Sequence, residues 1–251
     1  MQRRTVLVGM GSLAATAALP SIALADEKGA KALAAIDATI FKAKTQIYEY
    51  DVNIKTPDKP DRKLGLNVQM KNEWRFSEFT APSDVKGTKV LILSPSQMYV
   101  YLPAYKKVRR IASHTTDQGF MGMNFSQDDM SITNYSKMYD ATVISDDGKI
   151  IKLSLAAKKD SEAPYPKIEI TADKVKNLPS ETKYFTDSGK NTKTETRSNY
   201  KLEKECWLPL ELKMVDHTKG GQSTTLTCKT YKLNTDIPDS RFSKRSLEEG
   251  A

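Results

Sequence analysis

The sequence predicts a mainly β fold, in which a strongly curved antiparallel sheet or open barrel faces one helix near the start of the chain. Apolar residues alternate with polar ones over most of the chain, which is the period of half-buried strands. Turn-forming pairs such as Asp-Gly and Gly-Gly separate these segments, and one segment before them has the helical period instead. Because only one face of each strand is apolar, we expect the concave side of the sheet to face the helix.

The first 25 residues are typical of an export signal. Arg3 and Arg4 precede an uncharged apolar run that ends in Ala23-Leu24-Ala25, a pattern that signal peptidase cleaves. The paired arginines fit a twin-arginine signal and an ordinary basic start equally well. Gly and Pro residues inside the run make it a poor membrane anchor. We therefore expect cleavage after Ala25 and a periplasmic protein, residues 26–251, without a lipidated N-terminal cysteine.

Size and charge limit the classes of function. Residues 26–251 are enough for one β domain with a sizeable core, and no linker or repeat divides them. The formal net charge of the whole chain is +8, which suits anionic lipid, acidic proteins or nucleic acid, or simply keeps the protein soluble. Export removes nucleic acid from the expected partners.

The helix is predicted over residues 29–43, where Leu33, Ile36 and Ile40 repeat at helical spacing. Asp26 lies just before it, where a helix N-terminus favours negative charge. The segments with strand-like alternation follow along the rest of the chain. They lie near residues 46–55, 64–70, 73–79, 88–94, 98–103, 107–112, 141–146, 150–156, 166–173, 182–187, 191–205, 208–217 and 222–233.

One segment, residues 113–140, lacks this alternation. It contains Phe120, Met121, Met123 and Phe125, which are four large apolar side chains within six positions. A long irregular segment in a compact domain usually has a function, and this apolar content argues against disorder. We expect a lid or a cavity wall; the alternative is that these residues only plug the open end of the sheet.

Cys206 and Cys228 are the only two cysteines. In an oxidising compartment they are candidates for a disulfide. If residues 218–221 form a hairpin turn, the two are not directly opposite in a simple register, although they could still meet across neighbouring strands. The sequence therefore leaves the bond open.

Residues 98–130 carry a resemblance to a known family. The run from Tyr99 to Ile111, followed by Gly119-Phe120-Met121-Gly122 and Asp128-Asp129-Met130, is similar to the outer-membrane lipoprotein-sorting protein family, which is related to the LolA and LolB periplasmic carriers. The resemblance implies an incomplete, half-open antiparallel β-barrel of about eleven strands, with an N-terminal helix and a short helical or loop lid over a hydrophobic cavity.

The resemblance also implies a function. It points to a carrier or chaperone that binds lipid or acylated lipoprotein and shuttles it between the inner and outer membranes. An inner-membrane transporter of the resistance-nodulation-division (RND) class is an implied partner. We expect a monomer that contacts membranes only peripherally. A regulatory or sensor module that binds a partner protein through residues 106–110 is the alternative.

Two groups of residues are the candidate contacts. Soft methionines and aromatic rings suit a pocket that accepts acyl chains of variable shape. The expected lipid-binding residues are Tyr99, Tyr101, Tyr105, Phe120, Met121, Met123, Phe125 and Met130. Lys107, Arg109 and Arg110 are expected to contact an acidic partner or a lipid phosphate, for which the arginine fork is well shaped. The alternative is a solvated edge strand whose charges discourage further pairing.

The sequence contains no recognisable catalytic constellation. His114 and His217 are isolated from each other, no serine lies in a Gly-x-Ser-x-Gly elbow, and no cysteine or histidine spacing suits zinc. His114 opens the segment expected to form the lid, where a role in the pocket is one reading. A hydrolase acting on envelope lipid is the least favoured hypothesis. We expect no catalytic residue, metal or cofactor.

Overall fold

Thirteen antiparallel strands form one continuous sheet in the computed structural model, which describes residues 26–112, 119–132 and 134–249. The strands are β1 (Thr45–Lys55), β2 (Arg62–Lys71), β3 (Trp74–Ala81), β4 (Lys89–Ser94), β5 (Gln97–Leu102), β6 (Lys107–Arg110), β7 (Tyr139–Asp146), β8 (Ile150–Ala157), β9 (Lys167–Asp173), β10 (Leu178–Phe185), β11 (Asn191–Glu203), β12 (Cys206–Asp216) and β13 (Gln222–Leu233). Each predicted segment overlaps one strand, so the sheet has two strands more than the eleven or so expected. The fold is mainly β, as predicted.

Four α-helices accompany the sheet within these described residues. They are α1 (Glu27–Ile40), α2 (Gln127–Ser131), α3 (Tyr135–Met138) and α4 (Lys244–Glu248). None of them is long and apolar enough to cross a membrane. The predicted signal peptide and His114 lie outside the described residues.

The strand order shows where the sheet is open. It reads β6-β5-β4-β3-β2-β1-β13-β12-β11-β10-β9-β8-β7, so the first and last strands pair in the middle. The two outer edges therefore belong to β6 and β7, which are consecutive in the chain. Because these edges do not pair, the sheet is a half-open barrel, as predicted. The chain between β6 and β7 has to connect one edge to the other.

Helix α1 is fixed to the sheet at its first turn. The Asp26 carboxylate caps the helix by accepting a hydrogen bond from the Gly29 N–H, and its other oxygen accepts one from the Val143 N–H at 2.9 Å. These bonds, with that from Val143 the strongest, lower the pKa of Asp26. Leu33 and Ile36 are buried on the face toward the sheet, as the predicted apolar stripe requires. The cap explains why the helix begins two residues before the predicted start.

The two faces of the sheet are covered by different parts of the chain. On β4, Val90 and Ile92 point to the concave face, where they belong to the same hydrophobic cluster as Phe120. Leu91 points to the convex face, where it packs with Phe242 of the C-terminal segment, residues 234–249. The strand is therefore buried on both faces. The unbroken apolar run at residues 90–93 is the sequence signal of this double burial.

Polar contacts hold the C-terminal segment in place. Lys89 is almost fully buried, and its Nζ donates to the carbonyl oxygens of Leu247 at 3.2 Å and Glu249 at 2.7 Å, at the end of α4. The Arg241 guanidinium lies 3.7 Å from the centre of the Phe76 ring. The segment thus forms a fixed cover over the convex face.

Replacing Gly29 with alanine tests the docking of α1. A Cβ added at Gly29 would lie 2.5 Å from the Ala141 carbonyl oxygen. Although alanine normally favours a helix interior, we expect Gly29→Ala to lower the free energy of unfolding by about 1–3 kcal/mol because the helix must move away from β7. Urea unfolding measures this. Ala34→Gly, at an exposed position of the same helix, should cost about 1 kcal/mol through propensity alone. A Gly29→Ala protein as stable as the native chain would contradict the docking geometry.

Candidate functional site

A cavity of about 150 Å³ lies between the concave face of the sheet and the described residues of segment 119–138, which we call the lid. Its wall is mostly apolar and comes from α1, the central strands and the lid. The main apolar groups are Ile40, Phe41, Tyr48, Tyr50, Leu66, Val68, Met70, Met123, Phe125, Met130, Ile132, Leu212 and Leu226. The helix, the sheet and the lid therefore each supply part of one hollow.

The lid residues singled out from the sequence lie on the concave side. Met123, Phe125 and Met130 line the cavity directly. Phe120 and Met121 pack beside it against the main core, and the Phe120 ring centre is 5.7 Å from that of Phe79. The structure thus brings the five lid residues together and places three of them in the wall.

The three predicted tyrosines lie elsewhere. Tyr99 and Tyr101 are on the convex face of β5, beneath the C-terminal segment, and Tyr105 is 62% exposed. The alternation of β5 explains this placement, because Met98 and Val100 take the concave positions. The expectation that these tyrosines lie near the lid is therefore wrong.

The disulfide that the sequence left open is not formed, and both cysteines are free thiols. The register of β12 and β13 sets Glu211 opposite Thr227, which places Cys228 opposite Leu210. Cys206 is four residues further along β12, roughly 13 Å away at the rise of a strand. A disulfide needs Cα atoms within about 7 Å, so these two strands cannot carry one here.

The basic residues predicted to contact a partner lie on β6, at the open edge of the sheet. Lys107, Arg109 and Arg110 are exposed. The Arg109 guanidinium lies 5.5 Å from the Tyr105 ring centre, and Arg110 donates to the Ser96 carbonyl oxygen at 2.7 Å. They form a charged strip beside one end of the lid segment.

A buried ion pair fastens the lid to the sheet. Ser126 and Asp129 form a capping box that starts α2, and the Asp129 carboxylate also receives Lys193 Nζ of β11 at 2.9 Å. The Tyr165 hydroxyl donates to the other Asp129 oxygen at 2.5 Å. All four groups are buried, so opening the lid must break or hydrate this network. Because Lys193 comes from a distant strand, no local pattern in the sequence predicts this network.

Two further contacts hold the lid. The Asp37 carboxylate of α1 accepts hydrogen bonds from the backbone N–H groups of Tyr135 at 3.0 Å and Ser136 at 2.7 Å, at the start of α3. Burial raises the pKa of Asp37, although these bonds act in the opposite direction. Thr224 of β13 and Asn124 exchange two hydrogen bonds of 2.8 Å. The lid is therefore held by α1, β11 and β13 together.

Two arginines lie in the cavity wall. Arg197 donates to the Glu195 carboxylate at 2.6 Å, and the Tyr184 hydroxyl donates to the other Glu195 oxygen at 2.7 Å. Burial opposes the charge of Arg197, but Glu195 holds the Arg197 pKa well above its usual value. Among the described residues, the one hydrogen bond from Arg75 goes to the Ile132 carbonyl oxygen of the lid, at 3.4 Å. Burial, and then repulsion from Arg197, lower the pKa of Arg75 to about 10.

Replacing Lys193 tests the lid fastening. Lys193→Met leaves Asp129 buried without its ion-pair partner, so we expect the free energy of unfolding to fall by about 3–5 kcal/mol. Urea unfolding measures the loss, and faster amide hydrogen exchange in α2 should accompany it. Lys31→Met removes an exposed ion pair with Glu27 and should cost at most about 1 kcal/mol. Equal effects of the two substitutions would refute a structural role for the buried pair.

Three solved structures have a similar fold over almost their whole length. An outer-membrane lipoprotein-sorting protein domain from Vibrio parahaemolyticus has a TM-score of 0.78 and 24% identity, covering 89% of this chain and 99% of that one. A DUF1329 family protein from Desulfovibrio piger has a TM-score of 0.81 and 21% identity, covering 88% and 98%. A LolA superfamily protein from Nitrosomonas europaea has a TM-score of 0.73 and 21% identity, covering 87% and 99%. The fold expected from the resemblance is confirmed.

No curated protein sequence matches the chain significantly. A family model described as "Uncharacterized protein"-like matches residues 71–249, which is well over half of the 251 residues. The match runs from β2 to the end of α4 and so includes the lid. The chain therefore belongs to this family, and its fold is that of the lipoprotein-sorting and LolA superfamily structures.

Proposed function

We propose that this protein is a periplasmic carrier that binds lipid or the acyl chains of a lipoprotein in the cavity and moves them between the inner and outer membranes. The observation that carries the proposal is the apolar hollow of about 150 Å³ between the concave sheet and the lid. The fold shared with the lipoprotein-sorting and LolA superfamily structures supports it. So does the export signal expected at residues 1–25.

The energetics of acyl-chain burial suit such a cavity. Each buried methylene contributes about 0.8 kcal/mol, so a long chain needs no specific contact for affinity. A dry cavity of about 150 Å³ holds a guest the size of benzene. A long acyl chain therefore requires the lid to move outward, and the chain then takes over apolar contacts that the lid made. Met123, Phe125 and Met130 are the lid side chains that would contact it.

The basic strip on β6 gives the carrier a surface for its donor or acceptor. Lys107, Arg109 and Arg110 lie at the sheet edge from which the lid segment departs. An acidic face of an inner-membrane transporter, of the RND class, or the phosphates of a lipid surface would complement this strip. Such contact is peripheral and compatible with a monomer.

A cavity-filling substitution tests the carrier. Val68 of β2 lines the cavity, and Val68→Trp should weaken the binding of a fluorescent fatty acyl probe at least about tenfold, since the ring occupies the guest's space. Val175→Trp adds the same ring at a 77% exposed position and should leave binding unchanged. Circular dichroism checks that both variants fold. Mass spectrometry of lipid extracted from native protein purified from the periplasm complements this titration. Ligand-free protein that takes up no probe would refute the proposal.

The basic strip makes a separate prediction. Arg109→Glu with Arg110→Glu should abolish co-sedimentation with vesicles that contain anionic phospholipid, because the strip then repels the surface. Acyl probe binding should not change. Lys149→Glu with Lys152→Glu makes the same change in net charge at exposed positions of the β8 end of the sheet and should reduce sedimentation far less. Equal losses from the two double variants would show that net charge alone, and no specific strip, governs the contact.

A further inference from the structure

The cavity wall is mostly apolar, but four charged side chains also line it. Arg75 of β3 and Arg197 of β11 both line the hollow, together with Glu195 and Asp129. A hydrocarbon guest needs no guanidinium group, and burying one is costly unless it is paired. Each of these arginines therefore requires a partner for its charge.

The two carboxylates are already committed to other cations. Glu195 pairs with Arg197 at 2.6 Å, and Asp129 pairs with Lys193 at 2.9 Å. The Tyr184 hydroxyl donates to the other Glu195 oxygen, and the Tyr165 hydroxyl donates to the other Asp129 oxygen. Within the described residues, no carboxylate lies within ion-pair distance of Arg75. With Lys193 counted, the described charged groups around the wall are three cations and two carboxylates, and Arg75 is the cation left over.

Arg75 is also short of hydrogen bonds. A guanidinium has five N–H donors, and the contact from Arg75 to the Ile132 carbonyl oxygen is long, at 3.4 Å. Its Nε is buried and has no hydrogen-bond partner in the described part of the chain. Its lowered pKa, about 10, still leaves it charged at neutral pH. Arg75 is therefore a charged donor in the cavity wall whose Nε has no acceptor among the described residues.

Two tyrosines near Arg75 supply further hydrogen-bond donors. Tyr50 and Tyr135 line the cavity and lie near the Arg75 charge. Neither hydroxyl makes a hydrogen bond to another described residue. Burial raises the pKa of both phenols, so both stay protonated and can donate. One guanidinium and two hydroxyl donors make a site for the oxygens of an anion.

We infer that the cavity takes an anionic amphiphile, whose carboxylate or phosphate head pairs with Arg75 while its acyl chain lies against Met123, Phe125 and Met130. The inference rests on the proposed carrier function and narrows its cargo. With the lid closed, the cavity has room for the head and the first part of the chain only.

The test compares amphiphiles that share one acyl chain. Isothermal titration of the mature protein uses palmitate, 1-palmitoyl lysophosphatidic acid, uncharged monopalmitoylglycerol, and inorganic phosphate alone. The native protein should bind at least one of the two anionic lipids tenfold or more tightly than monopalmitoylglycerol. Which anionic lipid binds distinguishes a carboxylate from a phosphate head. Arg75→Met should remove this preference by weakening the binding of the anionic lipid at least about tenfold more than the binding of monopalmitoylglycerol. Arg245→Met, at an exposed arginine on α4, should keep the native preference.

The stability of the unliganded protein is a second readout. Arg75→Met removes a buried charge without a partner, so its Tm should equal or exceed that of the native protein. Equal binding of palmitate, lysophosphatidic acid and monopalmitoylglycerol, or a preference that survives in Arg75→Met, overturns the inference but leaves the carrier intact. Binding of none of the three lipids overturns the carrier itself. If inorganic phosphate binds as tightly as lysophosphatidic acid, the acyl chain contributes no affinity. That result contradicts the inference that the ligand is an amphiphile.

Discussion

The pairing of β1 with β13 is the constraint on which the rest of the structure depends. It joins the two ends of the strand series in the middle of the sheet, so the free edges fall to β6 and β7. Because those two strands are consecutive, the chain between them has to span the open side of the barrel. The lid is thus part of the obligatory connection of this topology, and its C-terminal end leads directly into β7.

The lid meets the sheet through two kinds of contact with different costs. Its apolar side chains share the cavity surface, where a hydrocarbon guest can replace them at little loss. Its polar contacts, such as Asp129 with Lys193 and Asn124 with Thr224, have specific geometry and no substitute in an oily guest. Closure is therefore set by the polar contacts, while the apolar surface is available to cargo. The charges in the wall also oppose collapse of the hollow, since burying them more deeply is costly.

The sequence predicts local features well and distant contacts poorly. Alternation located every strand, and the apolar stripe located α1 to within three residues at each end. Composition singled out Met123 and Phe125 as candidates for a lid or cavity wall, and both line the cavity. The face of Tyr99 was not, because both faces of β5 are apolar and the C-terminal segment decides which one it covers. Arg75 lines the cavity because of the way in which the strands pair. No local sequence pattern predicts that pairing.

The C-terminal segment has a consequence for how the protein is made. Its Phe242 packs against the group that includes Leu91 of β4. The segment is nevertheless synthesised after every strand of the sheet. Until it arrives, the convex face of β3–β6 exposes apolar rows. The convex hydrophobic layer is therefore complete only once residues 234–249 have folded onto it. Until then, its exposed apolar surface makes the unfinished chain prone to aggregation.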